Sequence, residues 1–133
     1  MTFTPAELDY LRSQPLGRLA TVDADGNPQV NPVGFRNTSS GDVLIVGLAL
    51  AKTRKYRNVA ATGRAALVID DLASRDPWTV RGIEIRGRAE ATTSDRPAVP
   101  GATNDVIRLH ADTIFTWGIE SPDQRMTRRD AGG

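Results

Sequence analysis

Residues 52–58 carry four positively charged side chains and no acidic one, where the sequence predicts the start of a helix: Lys52, Arg54, Lys55 and Arg57. A helix N-terminus already bears a partial positive charge from its unpaired N–H groups, so adding cations there disfavours the helix by itself. The arrangement becomes favourable when an anion binds, because the N–H groups, the dipole and the cations then act together. The segment therefore predicts a site for a phosphorylated small molecule. The competing interpretation is a solvated helix face.

Helical spacing prevents all of these side chains from pointing in one direction. Lys52 and Lys55 share one side of the predicted helix, while Arg54 and Asn58 share another. Thr53 is placed as the helix cap. We expect Thr53, Lys55 and Asn58 to contribute most to anion binding.

A second candidate feature is the segment Pro32-Val33-Gly34-Phe35 inside a predicted strand. Pro32 has no N–H and Gly34 has no side chain, so a flat ring could lie against main-chain groups here. A frayed edge strand explains the same residues without a ligand, because proline cannot donate to a β-ladder. Two interpretations are also open for Trp78 and Trp117: each belongs to the core or an interface, or each stacks on a cofactor ring.

Composition excludes several kinds of chemistry. The 133 residues fit one domain, and they include no cysteine and a single histidine, His110. Thiolate metal sites, cysteine nucleophiles and histidine metal clusters are therefore excluded, and we predict no metal site. The sequence also shows no paired carboxylates and no nucleophile motif, so we predict no catalytic residue. With 17 basic and 16 acidic residues and 5% aromatic residues, the chain does not have the character of a nucleic-acid-binding barrel. No signal peptide and no apolar run of membrane-spanning length are visible, which predicts a soluble cytoplasmic protein.

The coarse pattern predicts a mainly β domain over residues 1–121 and a flexible tail over residues 122–133. A first helix is capped by Thr4 and Glu7 in a capping box. The cationic helix is expected over residues 53–62. Short strands with hairpin turns and few helices favour a small barrel over a doubly wound sheet. The predicted strands, about six, are 17–23, 28–36, 42–47, 64–71, 81–91 and 113–118; residues 76–78 are predicted as a loop, and residues 105–110 are ambiguous between helix and strand.

The order of three segments resembles the pyridoxamine 5′-phosphate oxidase-like superfamily of flavin and deazaflavin oxidoreductases. They are Gly17-Arg18-Leu19-Ala20-Thr21-Val22, the run from Gly26 to Phe35 with Pro28-Gln29-Val30-Asn31 before Pro32, and Lys55-Tyr56-Arg57-Asn58-Val59. Later segments are similar to the actinobacterial branch that uses the deazaflavin coenzyme F420. These are Asp70-Asp71-Leu72-Ala73-Ser74, Asp76-Pro77-Trp78, Arg81-Gly82-Ile83-Glu84-Ile85-Arg86-Gly87 and Thr116-Trp117-Gly118-Ile119.

This resemblance implies a split β-barrel of the FMN-binding type and a homodimer with cofactor sites at the subunit interface. It implies that Thr53, Lys55 and Asn58 hold the cofactor phosphate. It places Lys52, Arg54 and Arg57 nearby and sets Pro32, Val33, Gly34, Gly47 and Leu48 against the ring system. Trp78 would come from the other subunit or frame the substrate pocket.

The activity implied is hydride transfer from coenzyme F420 to an electron-poor double bond of a small organic substrate. Such a reaction requires no catalytic base, since the cofactor carries the chemistry. Two alternatives stay open: an FMN-binding oxidoreductase of the same fold, and a non-catalytic protein that carries a cofactor.

Overall fold

The computed structural model describes residues 2–131 and contains two helices, one 3₁₀ turn and eight strands. The helices are α1 (Pro5–Ser13) and α2 (Arg54–Thr62), and the 3₁₀ turn spans Leu50–Lys52. The strands are β1 (Gly17–Val22), β2 (Pro28–Asn37), β3 (Val43–Val46), β4 (Arg64–Arg75), β5 (Trp78–Thr93), β6 (Asp105–Leu109), β7 (Thr113–Trp117) and β8 (Thr127–Asp130).

Six strands close into an antiparallel barrel in the order β4, β1, β2, β3, β6, β5, with β5 returning to β4. The two remaining strands lie outside it, since β7 pairs with β5 and β8 pairs with β7. The predicted split β-barrel is confirmed. Residues 105–109, which were ambiguous in the sequence, form the strand β6 between β3 and β5.

Strand β2 pairs with a different neighbouring strand along each half of its length. Its first half pairs with β1 as far as Val33, and its second half pairs with β3 from Gly34 onwards. Pro32 therefore lies where β2 has a neighbour on one side only, opposite Arg18. Proline has no N–H to donate to a ladder, and at this position one side of β2 has no neighbouring strand.

The core follows the alternation of the long strands. In β5, Ile83 and Ile85 are fully buried and Ala89 nearly so, while Arg86 and Arg88 face outwards. The strands β4 and β5 extend well beyond their predicted ends, to Arg75 and from Trp78, so the predicted loop shrinks to a tight turn. Their pairing covers most of both strands and forms the longest hairpin of the fold.

Each helix closes a different part of the barrel. Helix α1 leads into the start of β1 and has the predicted capping box, in which Thr4 Oγ1 accepts from the Glu7 main chain and Glu7 Oε1 accepts from the Thr4 main chain. Helix α2 contacts β1 and β5, and its last turn joins β5 through a hydrogen bond from the Ala89 N–H to the Gly63 carbonyl. Within residues 2–131, neither helix has the length and apolar character needed to cross a membrane.

The prediction of a flexible tail over residues 122–133 is wrong for Thr127–Asp130, which form a strand. Strand β8 pairs with β7, and Arg129 of β8 forms a two-pronged ion pair with Glu7 of α1. Glu7 is only 1% exposed, so its charge needs a partner, and that partner comes from the far end of the chain. Residues 132 and 133 of the predicted tail lie outside the described residues.

Candidate functional site

The N-terminus of α2 has the capped geometry that the sequence predicts. Thr53 is the N-cap: its Oγ1 accepts a hydrogen bond from the Tyr56 N–H at 3.3 Å and donates one to the Leu50 carbonyl at 2.6 Å. Gly63 ends the helix in the left-handed conformation with φ of 72°. Because Thr53 uses its hydroxyl within the turn, it shapes the helix start instead of offering that hydroxyl to a ligand. The main-chain N–H groups of Arg54 and Lys55 donate to no acceptor among residues 2–131.

The four cations at this helix start form no ion pair within the part of the chain that is described. Lys52, Arg54 and Arg57 are exposed, and Lys55 is half-buried. Arg57 donates to the Lys52 carbonyl at 3.3 Å, which draws its side chain back over the 3₁₀ turn. Hydrogen bonds from Asn27 chiefly lower the pKa of Asp23, and Arg54 adds a smaller electrostatic lowering, so Arg54 leans towards the β1–β2 turn.

Asn58 lies on the inner side of α2 and not at the helix start. It is 5% exposed, and its Nδ2 donates to Thr21 Oγ1 of β1 at 3.1 Å. The side chain therefore fastens the helix to the barrel. In this arrangement it is not available to an anion at the first turn, in contrast to the role that the family resemblance implies.

The segments expected to face a ring system do come together. Gly34 pairs with Val46, so Gly47 and Leu48 follow directly beside it, and the 3₁₀ turn then leads into α2. Pro32 is exposed and Gly34 half-buried on the outer face of β2. Val33 differs, because its side chain is 6% exposed within the core and only its main chain is open to a ligand. Leu48 is 68% exposed.

The two tryptophans differ in their surroundings. Trp78 begins β5 at the tip of the long hairpin and is 72% exposed. The first turn of α2 meets β5 near the opposite end of that strand, where the Tyr56 hydroxyl donates to the Thr92 carbonyl at 3.0 Å, so one chain does not bring Trp78 to the cationic helix start. Trp117 packs flat on β5, where a side chain at Gly82 would come within 2.4 Å of its ring.

Two cavities were not anticipated from the sequence, and neither is lined by a described residue of α2. An open groove of about 1150 Å³ lies between α1, the end of β2 and the loop 38–41. A smaller cavity of about 240 Å³ lies beside His110. The groove draws on segments that are distant in sequence, so no local pattern marked it.

His110 connects three strands at the smaller cavity. Its Nδ1 lies 3.2 Å from Asp42 Oδ1 and its Nε2 lies 2.9 Å from Glu90 Oε2. Asp112 nearby accepts hydrogen bonds from the side chain and main chain of Arg88. Those bonds lower the pKa of Asp112 to about 2, with the Arg88 side chain as the largest cause. These are contacts that join strands, in line with a structural role for His110.

Comparison with known proteins gives a close relative. The chain is 45% identical over 122 residues to the 5a,11a-dehydrotetracycline/5a,11a-dehydrooxytetracycline reductase of Streptomyces rimosus subsp. rimosus. The match covers 90% of this chain and 86% of the reductase, so the two proteins are similar over nearly their whole lengths.

Solved structures share the fold at lower identity. A conserved hypothetical protein from Mycobacterium tuberculosis is 21% identical with a TM-score of 0.68, and the match covers 86% of this chain and 84% of that one. A heme binding protein from Mycobacterium smegmatis is also 21% identical with a TM-score of 0.69, covering 97% of this chain and 59% of that one. At such identity these similarities show the fold alone.

The family profile described as pyridoxamine 5′-phosphate oxidase matches residues 3–129, which is almost the whole chain and includes both helices, the strands β1 to β7 and all of β8 except Asp130. The barrel topology, the capped cationic helix and the reductase relative agree with that match. The chain belongs to the pyridoxamine 5′-phosphate oxidase family.

Proposed function

We propose that this chain is an oxidoreductase that uses coenzyme F420 to reduce an electron-poor double bond of a small organic substrate. The family and the reductase relative support an oxidoreductase. The relative is named for a dehydro compound that it reduces, which favours a conjugated polycyclic substrate here as well.

The observation that carries the proposal is the unneutralised charge at the start of α2. Among residues 2–131, Lys52, Lys55 and Arg57 have no acidic partner within ion-pair distance, and two main-chain N–H groups at the same turn have no acceptor. Each cation at a helix N-terminus costs about 0.3–1 kcal/mol when no anion is present. A bound phosphate would reverse that cost, so these residues fit a phosphorylated cofactor.

The residues divide into those that would touch the phosphate and those that hold the turn. Lys52, Lys55 and Arg57, with the first-turn N–H groups, would bind the anion. Thr53 keeps the helix start in shape through its cap, and Asn58 anchors the helix to Thr21 from inside the barrel. Asn58 is therefore proposed to support the helix and not to bind the phosphate.

The cofactor, when bound, supplies a hydride equivalent from its ring. The chain contributes position and shielding: the outer face of β2 at Pro32 and Gly34 offers main-chain groups beside Gly47, at the end of β3. Holding the hydride donor and acceptor in contact lowers the activation free energy by on the order of 7–11 kcal/mol in favourable cases. No side chain is required as a base in this scheme.

A homodimer is part of the proposal, because one chain leaves the ring face open. The outer face of β1 and β2 carries exposed apolar side chains beside Pro32, among them Val22 at 39% and Val30 at 63% exposed. Ala20 lies opposite Val30 on the same face. Contiguous exposed apolar residues of this kind are typical of protein interfaces. A second copy packed here would cover the ring face and could bring its own Trp78 to the site.

An FMN-dependent oxidoreductase is the second candidate. The site around Lys55 can bind the phosphate of FMN or of coenzyme F420. The surplus cations Lys52, Arg54 and Arg57 favour the deazaflavin, which has the longer acidic tail. A pure cofactor carrier would bind in the same way without turnover, and oxidation of the bound reduced cofactor by a panel of quinones and enones separates it from an enzyme.

The direct test of the anion site is Lys55→Glu, which places a negative charge where the phosphate would bind. We expect cofactor affinity to fall at least about tenfold, which corresponds to about 1.4 kcal/mol. Arg125→Glu, an equal charge change at an exposed position between β7 and β8, is the matched control and should leave affinity unchanged. Equal cofactor affinity of the Lys55→Glu variant and the unmodified protein, both folded by circular dichroism, would remove Lys55 from the site.

A further inference from the structure

The groove beside α1 has an apolar floor and a polar rim. Phe3 and Leu11 are nearly fully buried at its base, and Leu8 and Phe35 pack against the same cluster. The loop 38–41 supplies hydroxyl groups along one side. At about 1150 Å³ the groove is of the size that holds a polycyclic small molecule.

One wall of this groove is an open strand edge. Residues 34–37 of β2 pair with β3 on one side only, since the pairing with β1 stops at Val33 opposite Gly17. An unpaired edge presents main-chain N–H and C=O groups to whatever lies beside it. The groove thus offers main-chain hydrogen-bonding groups in addition to its side chains.

Asn37 at the end of that edge has an unused polar atom. Its Oδ1 is buried from solvent and has no hydrogen-bond partner among residues 2–131. Buried amide oxygens in folded proteins are nearly always bonded, and exceptions point to a ligand, an ion or a water. Asn37 lines the groove, and a rotation of its side chain would bring this oxygen to a donor bound there.

The charges on the rim favour an acid. Arg36 lines the groove, and its side chain forms no ion pair or hydrogen bond within the described chain, while the Arg12 side chain has only a 4.0 Å contact with the exposed Asp9. The other charged lining residues are already paired: Arg129 binds Glu7, and Asp130 lies 3.0 Å from Arg128. Two guanidinium groups are therefore available to a bound anion.

We propose that this groove binds an amphipathic organic acid, separate from the anion site at α2. Its ring body would lie on Phe3, Leu11 and Phe35, and its acidic group would meet Arg36 and Arg12. A hydroxyl or amide donor of the ligand would reach Asn37. Two kinds of ligand share this chemistry: the acceptor substrate of the reductase and an effector that is not turned over. The assignment as substrate rests on the proposed function.

The test uses the full-length protein without cofactor and tetracycline, a polycyclic enolic acid, as the probe, with binding followed by isothermal titration calorimetry. Four proteins are compared: the unmodified chain, Arg36→Gln, Asn37→Leu and Lys55→Glu. We expect saturable binding that weakens at least tenfold in Arg36→Gln and Asn37→Leu. Lys55→Glu, which leaves the groove intact, should bind like the unmodified chain.

Thermal unfolding of the same proteins separates binding from folding. Asn37→Leu removes a buried unsatisfied amide, so it should unfold no earlier than the unmodified chain while binding the probe more weakly. The proposal is overturned by an absence of saturable binding, by equal affinities in all four proteins, or by a loss confined to Lys55→Glu.

Turnover then identifies the source of the ligand. If Arg36→Gln raises the KM for an enone acceptor at least tenfold with little change in kcat, the groove holds the substrate. If turnover is unaffected while probe binding is lost, the groove is an effector site. A chain that binds the probe through Arg36 but reduces no acceptor would refute the proposed reductase and leave the groove assignment standing.

Discussion

At the scale of single residues, Glu7 and Arg129 connect the first helix to the last strand. Arg129 Nη1 lies 2.7 Å from Glu7 Oε2, and Arg129 also donates to the Thr2 carbonyl at 2.9 Å. Arg129→Ala leaves the buried Glu7 carboxylate with the Thr4 N–H but without its ion-pair partner, which should cost roughly 3 kcal/mol of unfolding free energy.

Urea denaturation measures this loss, with Arg128→Ala as the control, because the Arg128 side chain is 58% exposed. The control should stay within about 0.5 kcal/mol of the unmodified protein. Equal stability of both variants would mean that β8 contributes little to the fold.

Asp112 gives a pH dependence with a defined sign. Its pKa is lowered from the ordinary 3.8 to about 2, first by the Arg88 side chain. A lowered pKa in the folded state stabilises the fold above the ordinary value, and that stabilisation is lost as pH falls from about 5 towards 2. The unfolding free energy should therefore decrease over this range. Asp112→Asn should flatten the decrease in urea denaturation series, and an unchanged slope would contradict the assignment.

At the scale of elements, the buried hydrogen bond from Asn58 to Thr21 is one of the contacts that attach α2 to the barrel. Thr21→Val keeps the shape of β1 and removes the acceptor for Asn58 Nδ2, leaving a buried donor unsatisfied. We expect a loss of about 1–3 kcal/mol in unfolding free energy. Cofactor affinity under folding conditions should change far less than in Lys55→Glu. A cofactor affinity reduced as strongly as in Lys55→Glu, with stability unchanged, would instead place Asn58 in the binding site.

Local signals in the sequence were sufficient for the helices and most strands. Thr4 with Glu7 and Thr53 with Gly63 are caps that act within a few residues, so the helix ends were predicted closely. Strand β8 could not be predicted in this way, because Thr127–Asp130 is polar and its partners β7 and Glu7 are distant in sequence. The groove was missed for the same reason: Arg12 and Arg36 line one groove only after folding.

At the scale of the whole molecule, the exposed apolar face of β1 and β2 is the surface that we propose as the dimer interface. Val30 lies at its centre, opposite Ala20. We expect the unmodified chain to sediment as a dimer and Val30→Glu as a monomer, since a charge is costly to bury in an interface. The fold of the variant should be preserved because Val30 is 63% exposed in one chain. Sedimentation equilibrium measures both, and a monomeric unmodified protein would remove the second subunit from the proposed site.

The sequence predicted the capped cationic helix, and the structure adds that its charges have no acidic partner in the described chain. The most direct measurement is a parallel titration of the purified protein with coenzyme F420 and with FMN, followed by tryptophan fluorescence. We predict saturable F420 binding that Lys55→Glu weakens at least about tenfold, with FMN bound more weakly. Tight FMN binding without F420 binding, or no binding of either, would contradict the account.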